Sequence, residues 1–290
     1  LFWIMKILLT GASGYLGKQV IKYYLSRQEE DIKLFAVGNA EKLEWSGIPV
    51  MDIDLFDEGA SQRIFNQFGR IDTLIHLAWR DGFKLNSMNH INNFPLHVNF
   101  ISSLYKLGVK NINVMGSMHE LGRFEGLALS SSPCLPTTLY GISKTALLEV
   151  LLKTNLYEDA SIKWLRGFYF IGENSEGNSV FSKLYRAATR GDKIFNLTSG
   201  KNKFDFLDVR EAARQIFLAS IQNEVTGVIN ICSGMPITLR EKIESFTKDQ
   251  ELEVELVWNS FPERPDESSI IYGDKTEIDK ILSRVKGGLK

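Results

Sequence analysis

The chain has 290 residues, of which 44% are hydrophobic and 24% charged, and this composition predicts a folded globular protein. Its formal net charge of −1 excludes the basic field that would hold nucleic acid or an anionic membrane surface. The two cysteines, Cys134 and Cys232, lie far apart in the sequence. They predict a reducing, cytoplasmic location and no disulfide framework, and no apolar stretch is long enough to span a bilayer.

The first half of the chain alternates strand and helix patterns. Apolar runs predict strands at 4–9, 32–37, 48–53, 73–78, 111–115 and 162–170, and helical spacing predicts helices at 17–27, 56–68, 88–107 and 140–156. Such alternation gives a parallel sheet covered by helices on both faces, and right-handed crossovers make the sheet doubly wound. We therefore predict a doubly wound α/β fold.

The second half is less regular and predicts a smaller lobe that is interleaved with the first domain. Helices are expected at 179–190, 209–221, 238–246 and 274–282, short strands at 193–195, 203–207, 227–231 and 252–257, and a loop at 262–269. The expected division is a dinucleotide-binding domain at 1–170, to which 204–231 returns. The smaller, substrate-binding lobe would then comprise 171–203 and 232–290.

A glycine-rich turn, 10–17, separates the first strand from the first helix. Its three glycines suit separate tasks, since Gly11 permits the tight turn, Gly14 lets backbone amides approach a pyrophosphate, and Gly17 allows close packing of the helix. The helix N-terminus adds partial positive charge and unpaired N–H donors. In this context the turn predicts a dinucleotide site of the Rossmann type.

The end of the second strand bears on the choice of cofactor. An acidic residue there accepts a hydrogen bond from the ribose 2′-hydroxyl of NAD, but this chain has Gly38-Asn39, with Lys42 just beyond. The absence of a negative charge favours NADP(H), whose 2′-phosphate Asn39 or Lys42 would contact. NAD(H) stays open, because Asn39 also suits a simple turn.

A tyrosine and a lysine, Tyr140 and Lys144, are spaced four apart on a predicted helix and so share one face. An ammonium near a phenol lowers the pKa of the phenol, which then exchanges a proton with an alkoxide as hydride moves. Ser117 ends the fifth strand, where ligands bind in such sheets, and would orient the substrate oxygen. The spacing alone also suits an exposed surface pair, and the glycine turn favours the catalytic interpretation.

Together these segments resemble the extended short-chain dehydrogenase/reductases, the NAD-dependent epimerase/dehydratase family, over nearly the whole chain. Further matches are Asp54, the segments 76–78, 116–122, 166–172 and 205–209, and Arg264-Pro265. The resemblance implies catalysis by Ser117, Tyr140 and Lys144. It implies cofactor contacts by Gly11, Ser13, Gly14, Tyr15, Leu16, Gly17, Asn39, Asp54, Leu55, Leu77, Ala78, Trp79, Asn93, Tyr140, Lys144 and Tyr169, and substrate contacts by Ser117, Met118, His119, Asn178, Lys203 and Arg264.

Two departures from the family pattern narrow the expected activity. Members that dehydrate sugars carry Asp-Glu after the catalytic hydroxyl residue, whereas this chain has Met118-His119. An arginine that often precedes the Asp-Phe pair is replaced by Phe204, with Lys203 beside it. We therefore expect reduction of a nucleotide-linked 4-keto (6-deoxy) sugar, rather than dehydration.

Two other functions remain open at this stage. One is a nucleotide-sugar 4-epimerase with tightly bound NAD, and the other is a non-catalytic dinucleotide-binding protein. The spacing of the four histidines predicts no metal site. By analogy with the family, we expect a homodimer that acts on a nucleotide sugar.

Overall fold

The computed structural model describes residues 4–82, 84–172, 179–263 and 267–287. These residues form fourteen strands: β1 (Met5–Thr10), β2 (Ile32–Val37), β3 (Val50–Met51), β4 (Thr73–His76), β5 (Asn111–Ser117), β6 (Gly126–Ala128), β7 (Ser161–Gly167), β8 (Tyr169–Ile171), β9 (Ile194–Asn196), β10 (Lys203–Asp208), β11 (Gly227–Ile231), β12 (Pro236–Thr238), β13 (Glu255–Val257) and β14 (Ile270–Gly273). They also form eight α-helices: α1 (Tyr15–Arg27), α2 (Ala60–Phe68), α3 (Asn89–Lys106), α4 (Leu139–Lys153), α5 (Val180–Thr189), α6 (Val209–Ser220), α7 (Leu239–Asp249) and α8 (Thr276–Gly287).

The larger sheet has seven parallel strands in the order β11-β7-β5-β4-β1-β2-β3. Both of its faces are apolar because helices cover both. In β1, Ile7 and Leu9 face the cluster that includes α1, α6 and α8, while Leu8 faces the cluster of α2, α3 and α4. This arrangement is the doubly wound Rossmann sheet that the alternating pattern predicted.

A second sheet, in the order β12-β10-β14-β6, forms the smaller lobe together with β8, which pairs with β10. The buried carboxylate of Asp205 in β10 connects this sheet to the turn after β11. It accepts hydrogen bonds from the backbone N–H groups of Ser233 (2.7 Å), Gly234 (2.9 Å) and Gly273 (3.0 Å). Several donors on one buried carboxylate replace its lost hydration, so the lobe is held by a polar centre as well as by apolar packing.

The division of the chain differs from the expected one at two places. Within 204–231, α6 and β11 pack on the larger sheet, whereas β10 belongs to the second sheet. Helix α8 was expected in the smaller lobe, but its Ile278 and Ile281 are buried in the cluster of the larger sheet. Periodicity identifies an apolar face without showing which sheet will cover it, and this explains both differences.

Local differences concern short elements. The predicted strand 162–170 is two strands, β7 and β8, separated at Phe168. Three strands of three or four residues, β6, β12 and β14, were not predicted, because so short a run carries no clear alternation. Pro95 lies inside α3 without ending it. Within the described ranges, no helix has the length and apolarity to cross a membrane.

Candidate active site

The glycine turn between β1 and α1 is closely packed against its surroundings. Gly11 has φ +70°, and a Cβ built on it would lie 2.6 Å from the Ala78 nitrogen. A Cβ on Gly17 would lie 2.3 Å from the Gly11 carbonyl oxygen. Gly14 is the N-cap of α1 and brings no side chain to that helix end. At Gly11 and Gly17 a side chain would therefore collide with neighbouring backbone atoms, which agrees with the roles that the glycine spacing predicted.

A cleft of about 350 Å³ adjoins this turn at the carboxyl ends of β1 to β4. Ligands bind at this edge in doubly wound sheets. Its walls are Gly11, Val37, Gly38, Asp52, Ile53, Asp54, Leu55, Phe56, Ala78, Trp79, Arg80 and His97. Five of these, Gly11, Asp54, Leu55, Ala78 and Trp79, were predicted as cofactor contacts. Asp52, Arg80 and His97 were not, because no local motif marks them.

Arg80 places a cation on the cleft wall. Its guanidinium donates to Asp54 Oδ2 at 2.5 Å and lies 4.9 Å from the centre of the Phe56 ring. Asp54 Oδ1 accepts from the Phe56 N–H at 3.1 Å. This backbone hydrogen bond and Arg80 together lower the pKa of Asp54. Asp54, which the resemblance predicted as a cofactor contact, is therefore an ionised group that is already paired with Arg80.

The corner beyond β2 contains a carboxylate that the sequence pattern did not place there. Asn39 forms a turn, since its N–H donates to Ser13 Oγ (3.2 Å) and its side-chain oxygen accepts from the Lys42 N–H (2.9 Å). Asp52, just after β3, accepts from the Ala40 N–H at 3.3 Å. The negative charge that β2 lacks is thus supplied by the neighbouring strand.

Ser117, Tyr140 and Lys144 are brought together beside the end of β5. Ser117 is the N-cap of a short 3₁₀ helix, Met118–Leu121, and it hydrogen bonds with Tyr140. Thr138 is the N-cap of helix α4, where its hydroxyl accepts from the Gly141 N–H, and this cap fixes the first turn that carries Tyr140. The Lys144 ammonium donates to the Met115 carbonyl at 2.7 Å.

The pKa of Tyr140 differs from the expectation. Burial raises it to about 12, although the hydrogen bond with Ser117 acts in the opposite direction. Burial also lowers the pKa of Lys144 to about 7. The expected lowering of the Tyr140 pKa by Lys144 is therefore wrong for this arrangement. The ammonium lies 5.8 Å from the Tyr140 ring centre, while the loss of hydration and the charge of the buried Glu120 raise the pKa of the phenol.

Trp79 connects the lysine to the cleft. The Lys144 Nζ lies 3.7 Å from the centre of the indole ring, which is a cation–π contact. The same ring stacks on His97, with the centroids 4.3 Å apart and the planes 7° from parallel. Its Nε1 donates to His90 Nδ1 at 3.1 Å. Trp79 is therefore held in place on several sides while it covers the lysine.

The other predicted cofactor contacts are placed as follows. Tyr15 brings its hydroxyl near Gly172, where a Cβ would lie 2.5 Å from it. Leu16 and Leu77 pack on the apolar cluster of β1 and α1. Asn93 is half-buried on α3. The ring of Tyr169 packs against Phe204 and Phe206, in the core of the smaller lobe.

The predicted substrate contacts are more scattered. His119 lies next to the group formed by Ser117, Tyr140 and Lys144, with its ring 5.8 Å from that of Tyr140, and burial lowers the pKa of His119. Met118 is buried in the apolar core of the smaller lobe. Lys203 is exposed at the start of β10. Asn178 and Arg264 lie outside the described residues. In the described part of the chain, no group of three or more His, Cys, Asp or Glu is placed to hold a metal ion.

Comparison with known proteins identifies relatives along nearly the whole chain. Residues 7–232 match the model of the NAD dependent epimerase/dehydratase family. The chain is 33% identical to dTDP-6-deoxy-L-talose 4-dehydrogenase (NAD(+)) of Aggregatibacter actinomycetemcomitans, over 93% of this chain and 100% of the relative. It is 24% identical to GDP-6-deoxy-D-talose 4-dehydrogenase of the same organism, over 96% and 91%.

Solved structures show the same fold. The UDP-glucose 4-epimerase from Stenotrophomonas maltophila, with bound NAD and formylated UDP-arabinopyranose, superposes with a TM-score of 0.84. The two chains are 15% identical, and the match covers 96% of this chain and 92% of that one. At this identity the likeness establishes the fold alone.

Proposed function

The chain belongs to the NAD-dependent epimerase/dehydratase family, and from that premise we propose that it interconverts a 4-keto and a 4-hydroxy 6-deoxy sugar carried on a nucleoside diphosphate. The observation that carries the proposal is the grouping of Ser117, Tyr140 and Lys144 beside a cleft at the strand ends. Two relatives whose names specify 4-dehydrogenation of 6-deoxytalose nucleotides support it.

The residues present fit a dinucleotide cofactor. Backbone approaches closely at Gly11 and Gly17, where a Cβ would collide, and the adjoining cleft is lined from the ends of four strands. Gly11, Gly14 and the start of α1 would hold the pyrophosphate, and Lys144 would hold the nicotinamide ribose. When bound, the cofactor supplies or accepts the hydride.

In the direction of reduction, the chain itself supplies the proton. The Ser117 hydroxyl donates a hydrogen bond to the C4 carbonyl oxygen and orients it. As hydride adds to C4, the carbonyl oxygen becomes an alkoxide, and the Tyr140 O–H gives it a proton to complete the alcohol. A phenol with a pKa of about 12 stays protonated at neutral pH, so Tyr140 is ready to act as the acid.

The surroundings of Ser117 favour oxidation and reduction over dehydration. Elimination of water needs an acid–base pair next to the reacting carbons, and Met118 and His119 stand where dehydratases have acids. Met118 is buried in the core and has no proton to exchange, and the lowered pKa of His119 argues against the imidazolium form that would protonate a leaving hydroxyl. The proton transfer that remains available is the one at the C4 oxygen.

For the cofactor, we infer a preference for NAD(H). This replaces the NADP(H) that was favoured because no acidic residue follows β2. The Asp52 carboxylate lies at the corner beyond β2, where it accepts from the Ala40 N–H at 3.3 Å. A carboxylate there accepts a hydrogen bond from a ribose 2′-hydroxyl and repels a 2′-phosphate. The relative with 33% identity carries NAD(+) in its name.

The activity is tested with dTDP- and GDP-linked 4-keto-6-deoxy sugars, while NADH and NADPH absorbance are followed separately. We expect turnover with NADH, and a kcat about 10²- to 10⁴-fold lower in Tyr140→Phe with cofactor binding retained. Interconversion of epimers without net cofactor consumption would instead identify an epimerase. Unchanged turnover in Tyr140→Phe would overturn the proposed role of the phenol.

The cofactor preference is tested with Asp52→Ser. We expect the ratio of kcat/KM for NADH to that for NADPH to fall about tenfold, the equivalent of one charge contact of about 1.4 kcal/mol. Asp57→Asn is the matched control, because Asp57 is an exposed acid that is paired with Arg63 and lies outside the cleft wall. An equal change in both variants, or none in either, would contradict a role for Asp52.

A homodimer remains our proposal for the assembly. Exposed apolar side chains, Met88, Ile91 and Ile142, lie on α3 and α4 or at their ends. By fold-level analogy, the two helices would pair across a dimer. Light scattering of the purified protein tests the proposal, and a monomer at micromolar concentration would contradict it. The cytoplasmic location stays a prediction.

A further inference from the structure

Three buried side chains form a hydrogen-bonded row that ends at the cleft. Thr10 Oγ1 lies 2.7 Å from His76 Nδ1, and His76 Nε2 lies 2.9 Å from His97 Nδ1. All three residues are at most 1% exposed. The last nitrogen of the row, His97 Nε2, is buried without a hydrogen-bond partner among the described residues, and His97 lines the cleft.

The proton positions in this row follow from the need to satisfy buried donors. The Thr10 hydroxyl has one proton to donate. Among the described residues, its side-chain hydrogen-bond partner is His76 Nδ1. If Thr10 donates to His76 Nδ1, then His76 carries its proton on Nε2 and donates to His97 Nδ1. His97 must then carry its own proton on Nε2. The opposite order would leave the buried Thr10 proton unsatisfied.

Both rings carry one proton only. Burial lowers the pKa of His76 to about 3, and burial with the nearby Lys144 ammonium also lowers the pKa of His97. The His97 ring cannot turn toward another acceptor, because Trp79 stacks on its face and Phe56 packs edge-on at 4.9 Å. The Nε2–H donor of this cleft-lining residue is thus held in one buried position without a partner among the described residues. Such a donor is rare unless it has a partner in the working molecule.

We propose that His97 donates its Nε2–H to an acceptor oxygen or nitrogen in the ADP-ribose half of the bound dinucleotide. The cleft wall that His97 shares is made by Gly38, Asp52 and Asp54, which follow β2 and β3. In doubly wound folds the adenosine half lies at these strand ends. His97 would then be a cofactor-binding residue that takes no part in the proton transfer at the C4 oxygen. The inference rests on the cofactor binding of the proposed function.

The test compares wild type with His97→Phe, which keeps a ring to stack on Trp79 but has no donor. The dissociation constants of NAD, ADP-ribose and nicotinamide mononucleotide are measured by calorimetry. We expect NAD and ADP-ribose to bind about tenfold more weakly, which corresponds to one neutral hydrogen bond. The mononucleotide, which lacks the adenosine half, should be unaffected. In steady-state kinetics the loss should appear in the KM for cofactor more than in kcat.

Two further variants separate binding from folding. His97→Gln retains an amide donor and should recover part of the lost affinity. Asn99→Ala is the matched control, since Asn99 is exposed on the same helix and two residues away. Melting temperatures of all variants show whether His97→Phe is folded, because His76 loses its acceptor in that variant.

A measurement on the wild-type protein makes the test independent of any variant. In protein labelled with ¹⁵N-histidine, His97 Nε2 should resonate as a protonated nitrogen. Binding of ADP-ribose should shift this resonance, and the proton on Nε2 should then exchange slowly with water. Unchanged affinities in His97→Phe, or a wild-type Nε2 signal that does not respond to bound ADP-ribose, would overturn the inference. If wild type binds neither NAD nor NADP, the proposed function itself fails.

Discussion

The buried carboxylate of Glu120 accepts a hydrogen bond from the backbone N–H of Ser117, with Oε1 and the nitrogen 2.5 Å apart. The same carboxylate accepts from Trp164 Nε1 at 2.9 Å and from Arg166 Nε at 3.1 Å. A Cβ on Gly116 would lie 2.1 Å from Trp164 Nε1, so the end of β5 is closely packed. Glu120 thus positions Ser117 through the backbone.

Glu120→Ala should affect both folding and turnover. Its removal leaves the buried Arg166 guanidinium without a counter-charge, and breaking such a pair costs about 3–5 kcal/mol of unfolding free energy. Glu120→Gln retains an acceptor for the Ser117 N–H and should lose less stability. In Glu120→Gln we expect kcat to fall more than the KM for cofactor rises. Urea unfolding and steady-state kinetics measure both effects, and wild-type kcat in Glu120→Ala would refute the positioning role.

The pH dependence of sugar reduction should follow Lys144. Its pKa is lowered to about 7, so the ammonium is present below pH 7 and lost as the pH rises through that value. A neutral amine neither supports charge on Tyr140 nor donates as strongly to the ribose. The kcat/KM for reduction, which reports groups of the free enzyme, should therefore fall above about pH 7.

Lys144→Arg provides the comparison for this pH profile. Arginine keeps its charge throughout the accessible range, so the residual activity of this variant should show no descending limb near pH 7. A limb at the same pH in both proteins would assign the titration to another group.

Close packing of the glycine turn predicts a large effect of Gly17→Ala. The added Cβ would lie 2.3 Å from the Gly11 oxygen and 2.7 Å from the Ala12 oxygen, both of which are backbone atoms that cannot move aside cheaply. We expect cofactor affinity to fall by more than about tenfold, together with lower stability. Gly82→Ala is the control, because a Cβ there meets no described atom within 4 Å and should change stability by less than about 0.5 kcal/mol.

A buried lysine away from the cleft should make stability depend on pH. Lys163 is fully buried, and its side-chain nitrogen donates hydrogen bonds to Asn111, Ser161 and Asn223. Burial lowers the pKa of Lys163 to about 7. In the unfolded chain the pKa is about 10.4, so the unfolded state binds more protons between these values. The free energy of unfolding therefore rises with pH from about 7 to about 10.

Lys163→Met removes this contribution. Its melting temperature should rise less steeply than that of wild type over the same pH range, with the remaining slope due to Lys144 and other groups. Thermal unfolding at half-unit pH steps measures the two slopes. Parallel curves would show that Lys163 titrates equally in the folded and unfolded states.

The amino-acid sequence by itself determined those features that depend on near neighbours along the chain. The alternation of strands and helices, the turn from Gly11 to Gly17 and the spacing of Tyr140 and Lys144 are of this kind. Each depends on backbone conformation or helical periodicity over a few residues, which the residue types determine locally. The doubly wound sheet and the place of the glycine turn followed from them.

Only the tertiary structure decided which distant groups meet at the strand ends. Asp52 reaches Ala40 because β2 and β3 are neighbouring strands, and His97 reaches His76 because the middle of α3 packs against the end of β4. The direction of the Tyr140 pKa shift was likewise settled by burial, which depends on how the whole chain packs. Long-range contact and loss of hydration are properties of the folded molecule, and no local pattern of residues encodes them.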